Sequence, residues 1–327
     1  MISKSKYLEL CKLFNSILKS PESNLETIAI PWLHIIREHP IFLSRYKKIF
    51  KYGFFELFFT EVKKNIYLLL QFYKSLFAKK ETYWFGSNQH ERNIDYLFVS
   101  HLINKNKFTI DEDMYFGDIP SQLQKRGKKV AISSLVAIRN SKFYFKKYFR
   151  QGNLNRYFFE NSLTFFNEIR LYLRLKKESR KLLSKSKLSI KSSIEQNVFH
   201  LASLEATSKG ALDNLRLHEQ IQKLVEKLCP KVIITTYEGH AFERIIFHAA
   251  RLVNPNIVCV SYQHSVVFPL SNTIKIKLSE KYNPDYILTS GITTKDKFQS
   301  IIDLQPIKII NIQNPSVTLA LQGNQLT

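Results

Sequence analysis

The 327-residue chain carries 49 Lys+Arg against 27 Asp+Glu, a formal net charge of +22, with an ordinary hydrophobic share of 44%. That length can bury a sizeable core, and with only 9 Gly and 10 Pro it leaves little room for long disordered linkers. The positive field favours a polyanionic partner (nucleic acid, anionic lipid head groups or a phosphate-bearing substrate) without choosing among them. Cys11, Cys229 and Cys259 are odd in number, widely spaced and free of any CxxC. They argue against a disulfide framework or a zinc site and fit a reducing cytoplasm.

Residues 1–92 read as a helical N-terminal segment, with apolar residues at three- and four-residue spacing such as Phe54, Leu57, Phe58 and Val62, and with Pro31 and Pro40 as punctuation. Lysines interrupt Met1 to Ser20, so no secretory signal is read there. Ile49 to Ala78 is the most apolar stretch. Lys51, Glu56, Glu61, Lys63 and Lys64 break it short of the roughly 18–20 apolar residues that a membrane span requires. Amphipathic helices are expected instead, on a protein that is soluble or lies on a membrane.

Asp95 to His101 is a compact apolar run suited to a buried parallel strand. Tyr115 to Pro120, a short helix to Arg126, a stop at Gly127 and a second strand over Lys129 to Val136 complete a strand–helix–strand unit. Asp111 to Asp118 is rich in carboxylates, but its spacing departs from a calcium loop. It reads as a helix-entry loop turned by Gly117. Residues 140–227 form a basic helical insertion, in which Phe143, Tyr144, Phe145, Tyr148, Phe149, Tyr157, Phe158, Phe159, Phe165 and Phe166 interleave with lysines. Such a zone lies on an anionic membrane, tracks a nucleic-acid backbone, or packs its aromatics as a core. No RNP, KH, zinc-finger or helix-turn-helix pattern supports nucleic acid.

Strands are expected again at Lys231 to Tyr237, Ile257 to Tyr262, Asp285 to Gly291 and Lys308 to Ile312, with helices over Ala241 to Val253 and about Thr293 to Ile302. The fold class is therefore α/β. One Rossmann-like parallel sheet spans 93–312 and residues 313–327 are a tail, too short to hold a second such domain.

Ligands of open α/β sheets bind beyond the carboxyl ends of the strands. That edge holds His101, then Tyr237, Glu238, Gly239 and His240, then Tyr262, Gln263, His264 and Ser265, then Ser290 and Gly291. Gly239 permits a tight entry into a helix whose amino end favours a phosphate or a carboxylate. Glu243 and Arg244 in its first turn read either as cap and surface ion pair or as ligand contacts. His264 suits a general base or a phosphate donor. No HExxH is present, and neither a metal nor a cofactor is expected.

The segments Asp95 to Leu102, Asp113 to Pro120, Tyr237-Glu-Gly-His-Ala-Phe-Glu-Arg244 and Ser261-Tyr-Gln-His-Ser265 resemble a family of bacterial surface-carbohydrate biosynthesis proteins encoded in O-antigen and capsule clusters. The similarity covers about residues 93–292. It implies a GT-B-like glycosyltransferase, with one Rossmann domain for the acceptor and a second for the sugar nucleotide. Carried over, His101, Tyr115, Glu238, His240, Glu243 and His264 match the motif positions. Glu238 or His264 would deprotonate the acceptor hydroxyl, His240 would face the diphosphate, and Arg244 would steady a phosphate or pair with Glu243. Gln263 and Gly291 complete the expected substrate contacts.

The expected partners are a sugar nucleotide, a membrane-linked glycan acceptor and an anionic membrane surface at the inner face of the plasma membrane. The donor-binding half is expected from a separate chain, or else is lost to truncation. A non-catalytic membrane-surface or polysaccharide-assembly interaction protein is the alternative from another class, and a basic nucleic-acid-binding protein, favoured only by net charge, is a third.

Overall fold

The computed structural model describes residues 4–37, 54–78, 83–85, 92–102, 112–136, 152–188, 193–265, 267 and 271–312. The expected C-terminal tail, Asp111, and the aromatics Phe143 to Phe149 of the insertion lie outside the described residues. Eight strands, β1 (Tyr83–Phe85), β2 (Tyr96–Leu102), β3 (Val130–Val136), β4 (Asn155–Phe158), β5 (Val232–Thr236), β6 (Val258–Gln263), β7 (Tyr286–Thr289) and β8 (Lys308–Asn311), form one sheet in the order β1-β4-β3-β2-β5-β6-β7-β8. β1 is antiparallel to β4 at the edge, and the remaining seven strands are parallel.

From β2 the chain winds outward through β3 and β4, then returns to lay β5 on the other side of β2 and winds outward again to β8. Strand order thus reverses between β2 and β5. There the helices before and after diverge to opposite faces and leave a crevice at the carboxyl edge. The fold is the Rossmann-like α/β sheet that the alternation of strands and helices predicts.

The helices are α1 (Lys4–Lys19), α2 (Leu25–Ile28), α3 (Phe54–Leu76), α4 (Ile119–Lys125), α5 (Phe165–Leu188), α6 (Ser193–Glu205), α7 (Lys209–Leu228), α8 (Ala241–Val253) and α9 (Ile292–Gln299). Both faces of the central strands are covered, which is why they are apolar almost throughout. Leu97 and Val99 of β2 turn to one face, with Ile221 and Leu224 of α7 and Ile246 of α8. Tyr96 and Phe98 turn to the other, with Phe116 of the preceding loop and Leu123 of α4.

Two strands occupy zones whose periodicity predicts only helix. β1 falls within residues 1–92, and β4 falls within the insertion. Each is four residues or fewer, and β4 is Asn-Arg-Tyr-Phe with Arg156 buried, its Nη2 donating to the Glu112 carbonyl at 2.7 Å. A run that short, with a cation at its centre, has no period to detect.

The N-terminal segment and the insertion also share one core. Leu10 and Phe14 of α1 pack with Leu171 and Leu175 of α5 and Val198 of α6, and the Phe14 ring lies 4.7 Å from that of Trp32. Tyr157, Phe158 and Phe159 are buried, so these aromatics serve the core, whereas Phe166 is exposed.

A buried ion pair ties this core to α7. Arg216 Nε donates to Glu168 Oε1 at 2.7 Å and Nη2 to Oε2 at 3.1 Å, while Nη1 reaches Asp213 at 2.7 Å. Glu168 also accepts the Leu163 amide at 2.7 Å, so nearly every lone pair is answered. Removing one partner would leave an uncompensated buried charge, with a loss of about 3–5 kcal/mol. Glu168→Ala and Arg216→Met are each therefore expected to lower the unfolding free energy by that amount, read from urea denaturation, and replacing both together by apolar side chains to cost less than the two single changes added.

Candidate active site

The turn from β5 into α8 is organised by its own chain. Glu243, fully buried at the third position of α8, accepts the backbone amides of Glu238, Gly239 and His240 at 2.8–3.0 Å and the Thr236 hydroxyl at 3.1 Å. The helix amino end does take an anion, as expected, but the anion is this carboxylate. Glu243 is therefore not placed to touch a substrate. Its charge is consumed by four donors inside the protein.

Arg244 is corrected in the same way. It is fully buried, and its guanidinium donates to the Asn283 side chain at 3.0 Å, the Tyr237 hydroxyl at 3.2 Å and the carbonyl of Ile276 at 2.9 Å. These contacts hold residues 273–283 against α8, with Asn283 in turn closing on Leu278. A guanidinium so enclosed has no face left for a phosphate. A run of alternating polar residues in a helix's first turn looks the same whether it faces ligand or core, and spacing alone could not separate the two.

Gly239 sits beneath that segment. Its φ is +80°, and a Cβ there would lie 2.6 Å from the Ile274 nitrogen. The turn can tolerate only glycine, both for conformation and for space.

With Glu243 and Arg244 inside, Glu238 turns outward. Its Oε2 lies 3.1 Å from His240 Nε2, and its Oε1 lies 3.4 Å from His264 Nε2. About a third of the Glu238 side chain (31%) stays exposed, against 35% for His240 and 22% for His264, so the trio is reachable by a ligand. Tyr115 stacks edge-on against His264 at 4.8 Å. His101, at the end of β2, lies 6.2 Å from the Tyr115 ring and 4.6 Å from the Phe242 ring, and Phe242 stacks on His240 at 5.2 Å.

The residues expected at three different strand ends, His101, Glu238, His240 and His264, therefore meet at one place, beside the reversal of strand order. Gln263 and Gly291 do not join them. Gln263 is buried, with its side-chain amide nitrogen donating to Ser265, and its backbone carbonyl accepts the Ser290 amide at 3.3 Å, while Gly291 caps α9.

Tyr115 is held by the acidic loop. Asp113 Oδ1 accepts the Ser100 hydroxyl at 2.8 Å and the amides of Tyr115 and Phe116 at 2.9 and 3.1 Å, and Gly117 turns the chain at φ +57°. That carboxylate is a turn organiser. Among the described residues no group of three or more His, Cys, Asp or Glu is arranged to hold a metal ion.

Burial sets the charge states. It pushes the His101 imidazole down to about 4, helped by the nearby His240 and opposed by Glu238. His264 is likewise lowered by burial, with Glu238 pulling the other way. Tyr115 is raised by burial and then by the Glu238 charge. At neutral pH His101 and His264 are thus neutral imidazoles, and the buried His101 Nε2 has no hydrogen-bond partner among the described residues.

A cavity of about 430 Å³ opens beside His101 and Phe242. Its walls include Lys74 of α3, Asn161, and Lys209 and Gln220 of α7. Sequence reasoning missed these contributions, and Phe242 as well. Phe242 had a signal, as an apolar side chain in the first turn of a helix that starts on the ligand edge. Lys74 and Asn161 had none, because only the tertiary fold brings them to that edge.

Two tests follow from this geometry. Gly239→Ala is expected to destabilise the chain by more than about 1 kcal/mol, read as a lower urea midpoint. The second test is of pH. The His101 ring is expected to titrate near pH 4 by NMR, far below the ordinary 6.5. Between those values the unfolded imidazole binds a proton that the folded one refuses, so stability is full above about 6.5 and falls as pH drops toward 4. His101→Gln should flatten part of that slope. His34, His218 and His248, held down to about 3, 3 and 4 by burial, and the likewise lowered His264 contribute to the same slope.

No protein-family model, curated protein or solved structure matches this chain.

Proposed function

We propose that this chain is the acceptor-side half of a glycosyltransferase of bacterial surface polysaccharide synthesis, moving a sugar from a nucleotide donor to a membrane-linked glycan. The observation that carries the reading is the Glu238 carboxylate, half-exposed and flanked by the imidazoles of His240 and His264, at the carboxyl edge where strand order reverses. Sugar transfer needs a base that takes the proton of an acceptor hydroxyl while its oxygen attacks the anomeric carbon and the nucleoside diphosphate leaves with the bonding pair. Glu238 suits that role. Both its oxygens face imidazole nitrogens, which fix its orientation and can share the proton it receives. Neutral His264 is the second candidate for the same step. The resemblance of Tyr237 to Arg244 and of Ser261 to Ser265 to surface-carbohydrate proteins supports the substrate class.

Lys74 and Lys209 in the cavity wall would face the acceptor's phosphate charge, and Asn161 and His101 would face its hydroxyls. Cytoplasmic-face localisation follows from the same proposal, since that is where nucleotide sugars and lipid-linked glycans meet.

The test is glycan synthesis in cells whose only copy of the chain is a variant. Glu238→Gln is expected to lower incorporation of sugar into surface glycan by about 10²–10⁴-fold while unfolding at the wild-type urea midpoint, and His264→Ala to lower it by a smaller factor. Wild-type glycan in both variants would remove these groups from any chemistry and leave a non-catalytic assembly subunit.

A further inference from the structure

Helix α3 carries its apolar stripe on the side opposite to that of an ordinary surface helix. Leu68, Gln71 and Ser75 face inward and are buried, and Phe72 packs against the rings of Phe165 and Tyr172 of α5. Facing out are Phe59, Ile66, Leu69, Leu70, Tyr73 and Phe77, each 53–73% exposed. At about 100° per residue these six fall within one arc of about 100°, and the stripe runs for about 27 Å. Beside it, α5 exposes Phe166 and Leu173, at 82% and 60%.

Water-soluble monomers rarely leave a contiguous apolar surface of this kind uncovered. Exposed cations line its margin: Lys63 and Lys74 flank the stripe on α3, and Lys176, Lys177 and Arg180 continue along the exposed side of α5.

The geometry points to the outer face of α3, with the adjoining face of α5, as a surface that docks on an anionic lipid bilayer. The charge chooses the occupant. A second copy of the chain would bring a net +22 against a net +22. A nucleic acid would meet aliphatic side chains at the centre of the patch and cations only at its edge, the reverse of what a phosphate backbone needs. A bilayer of acidic lipids answers both parts, with acyl chains against the stripe and head groups against the lysines. No described helix is long and apolar enough to cross a membrane, so α3 would lie in the interface plane.

The flank of α3 that turns away from the stripe supplies Tyr67, Gln71 and Lys74 to the 430 Å³ cavity. The cavity would then open beside the lipid surface. The docking surface itself stands on the stripe and the charge, and holds whether or not the sugar transfer proposed above occurs.

Co-sedimentation with vesicles of phosphatidylcholine, with and without phosphatidylglycerol, tests it. Wild type is expected to bind the mixed vesicles at least tenfold more tightly than pure phosphatidylcholine. Leu69→Asp/Leu70→Asp is expected to lose at least tenfold in binding at an unchanged urea midpoint, because both side chains are exposed. Lys63→Glu/Lys177→Glu should weaken binding only to the acidic vesicles. A Tyr73→Trp variant should gain a blue-shifted emission component on binding, which reads burial of that face in lipid. Glu238→Gln should bind as wild type, so the docking surface and the proposed chemistry are read apart. Wild-type binding by the double aspartate variant, binding indifferent to phosphatidylglycerol, no blue shift, or a wild-type dimer that the aspartates make monomeric would each overturn the proposal.

Discussion

The carboxylate of Glu243 and the amides it collects are the constraint on which the rest of the site depends. A parallel strand that feeds directly into a helix leaves several backbone N–H groups pointing at one spot beyond the sheet edge. In many α/β proteins that spot waits for a phosphate. Here it is filled from within, by a side chain three residues into the helix, and the anion is buried with four donors around it. Those donors make ionisation of a fully buried carboxylate tolerable. They also fix the path of Glu238, Gly239 and His240 without help from any ligand. The turn is therefore formed before anything binds, which is the condition for a base to be held in place at no further cost in entropy.

Once that turn is fixed, the neighbouring contacts become intelligible as supports. Gly239 lets residues 273–274 pass within contact of the backbone, and Arg244 binds the same segment from the other side through the Ile276 carbonyl and Asn283. Thr273 in turn donates to the His34 carbonyl at 2.8 Å and the Asn272 side-chain amide nitrogen to Asn15 Oδ1 at 2.7 Å, so the N-terminal helices are hydrogen-bonded to the segment that lies on the turn. Rigid packing behind the turn and half-exposed polar groups in front of it divide the motif in two. Glu243 and Arg244 belong to the first part, Glu238 and His240 to the second. Burial makes the division, and it falls between residues that are sequence neighbours.

Much of this architecture was legible in the residues. The six longer apolar runs gave their strands because a sheet covered on both faces must be apolar on both. The carboxyl-edge rule then brought His101, Glu238, His240 and His264 to one crevice before any coordinate was known. The short strands β1 and β4 were not legible, since a strand of three or four residues with Arg156 in it has no pattern of its own. Nor could the roles of Glu243 and Arg244 be read, because inward and outward positions in a first helical turn differ by one residue and the sequence Glu-Arg is compatible with either. α3 was legible as amphipathic, but not the direction of its apolar face. Direction is set by which side finds partners, and those partners, Phe165 and Tyr172, lie about a hundred residues away.

The position of α3 is what joins the separate parts of the molecule. One flank of this helix walls a cavity that ends at His101 and Phe242, and its outer face is apolar. On the proposed reading an amphiphile anchored in the bilayer need not leave it for its head group to enter the cavity beside His101 and Phe242. The lipid part stays against the stripe, and Lys74, at the boundary between stripe and cavity, lies where a phosphate between lipid and sugar would fall. A soluble acceptor would need neither the stripe nor the lysine margin. The same basic surface holds its charge without a compensating partner among the described side chains at Lys63, Lys176 and Lys177, and like charges gathered on one side of a fold weaken it unless something anionic answers them. A surface that is unfavourable in water on both counts, apolar at its centre and crowded with cations at its rim, becomes favourable on an acidic membrane. That single environment removes both penalties.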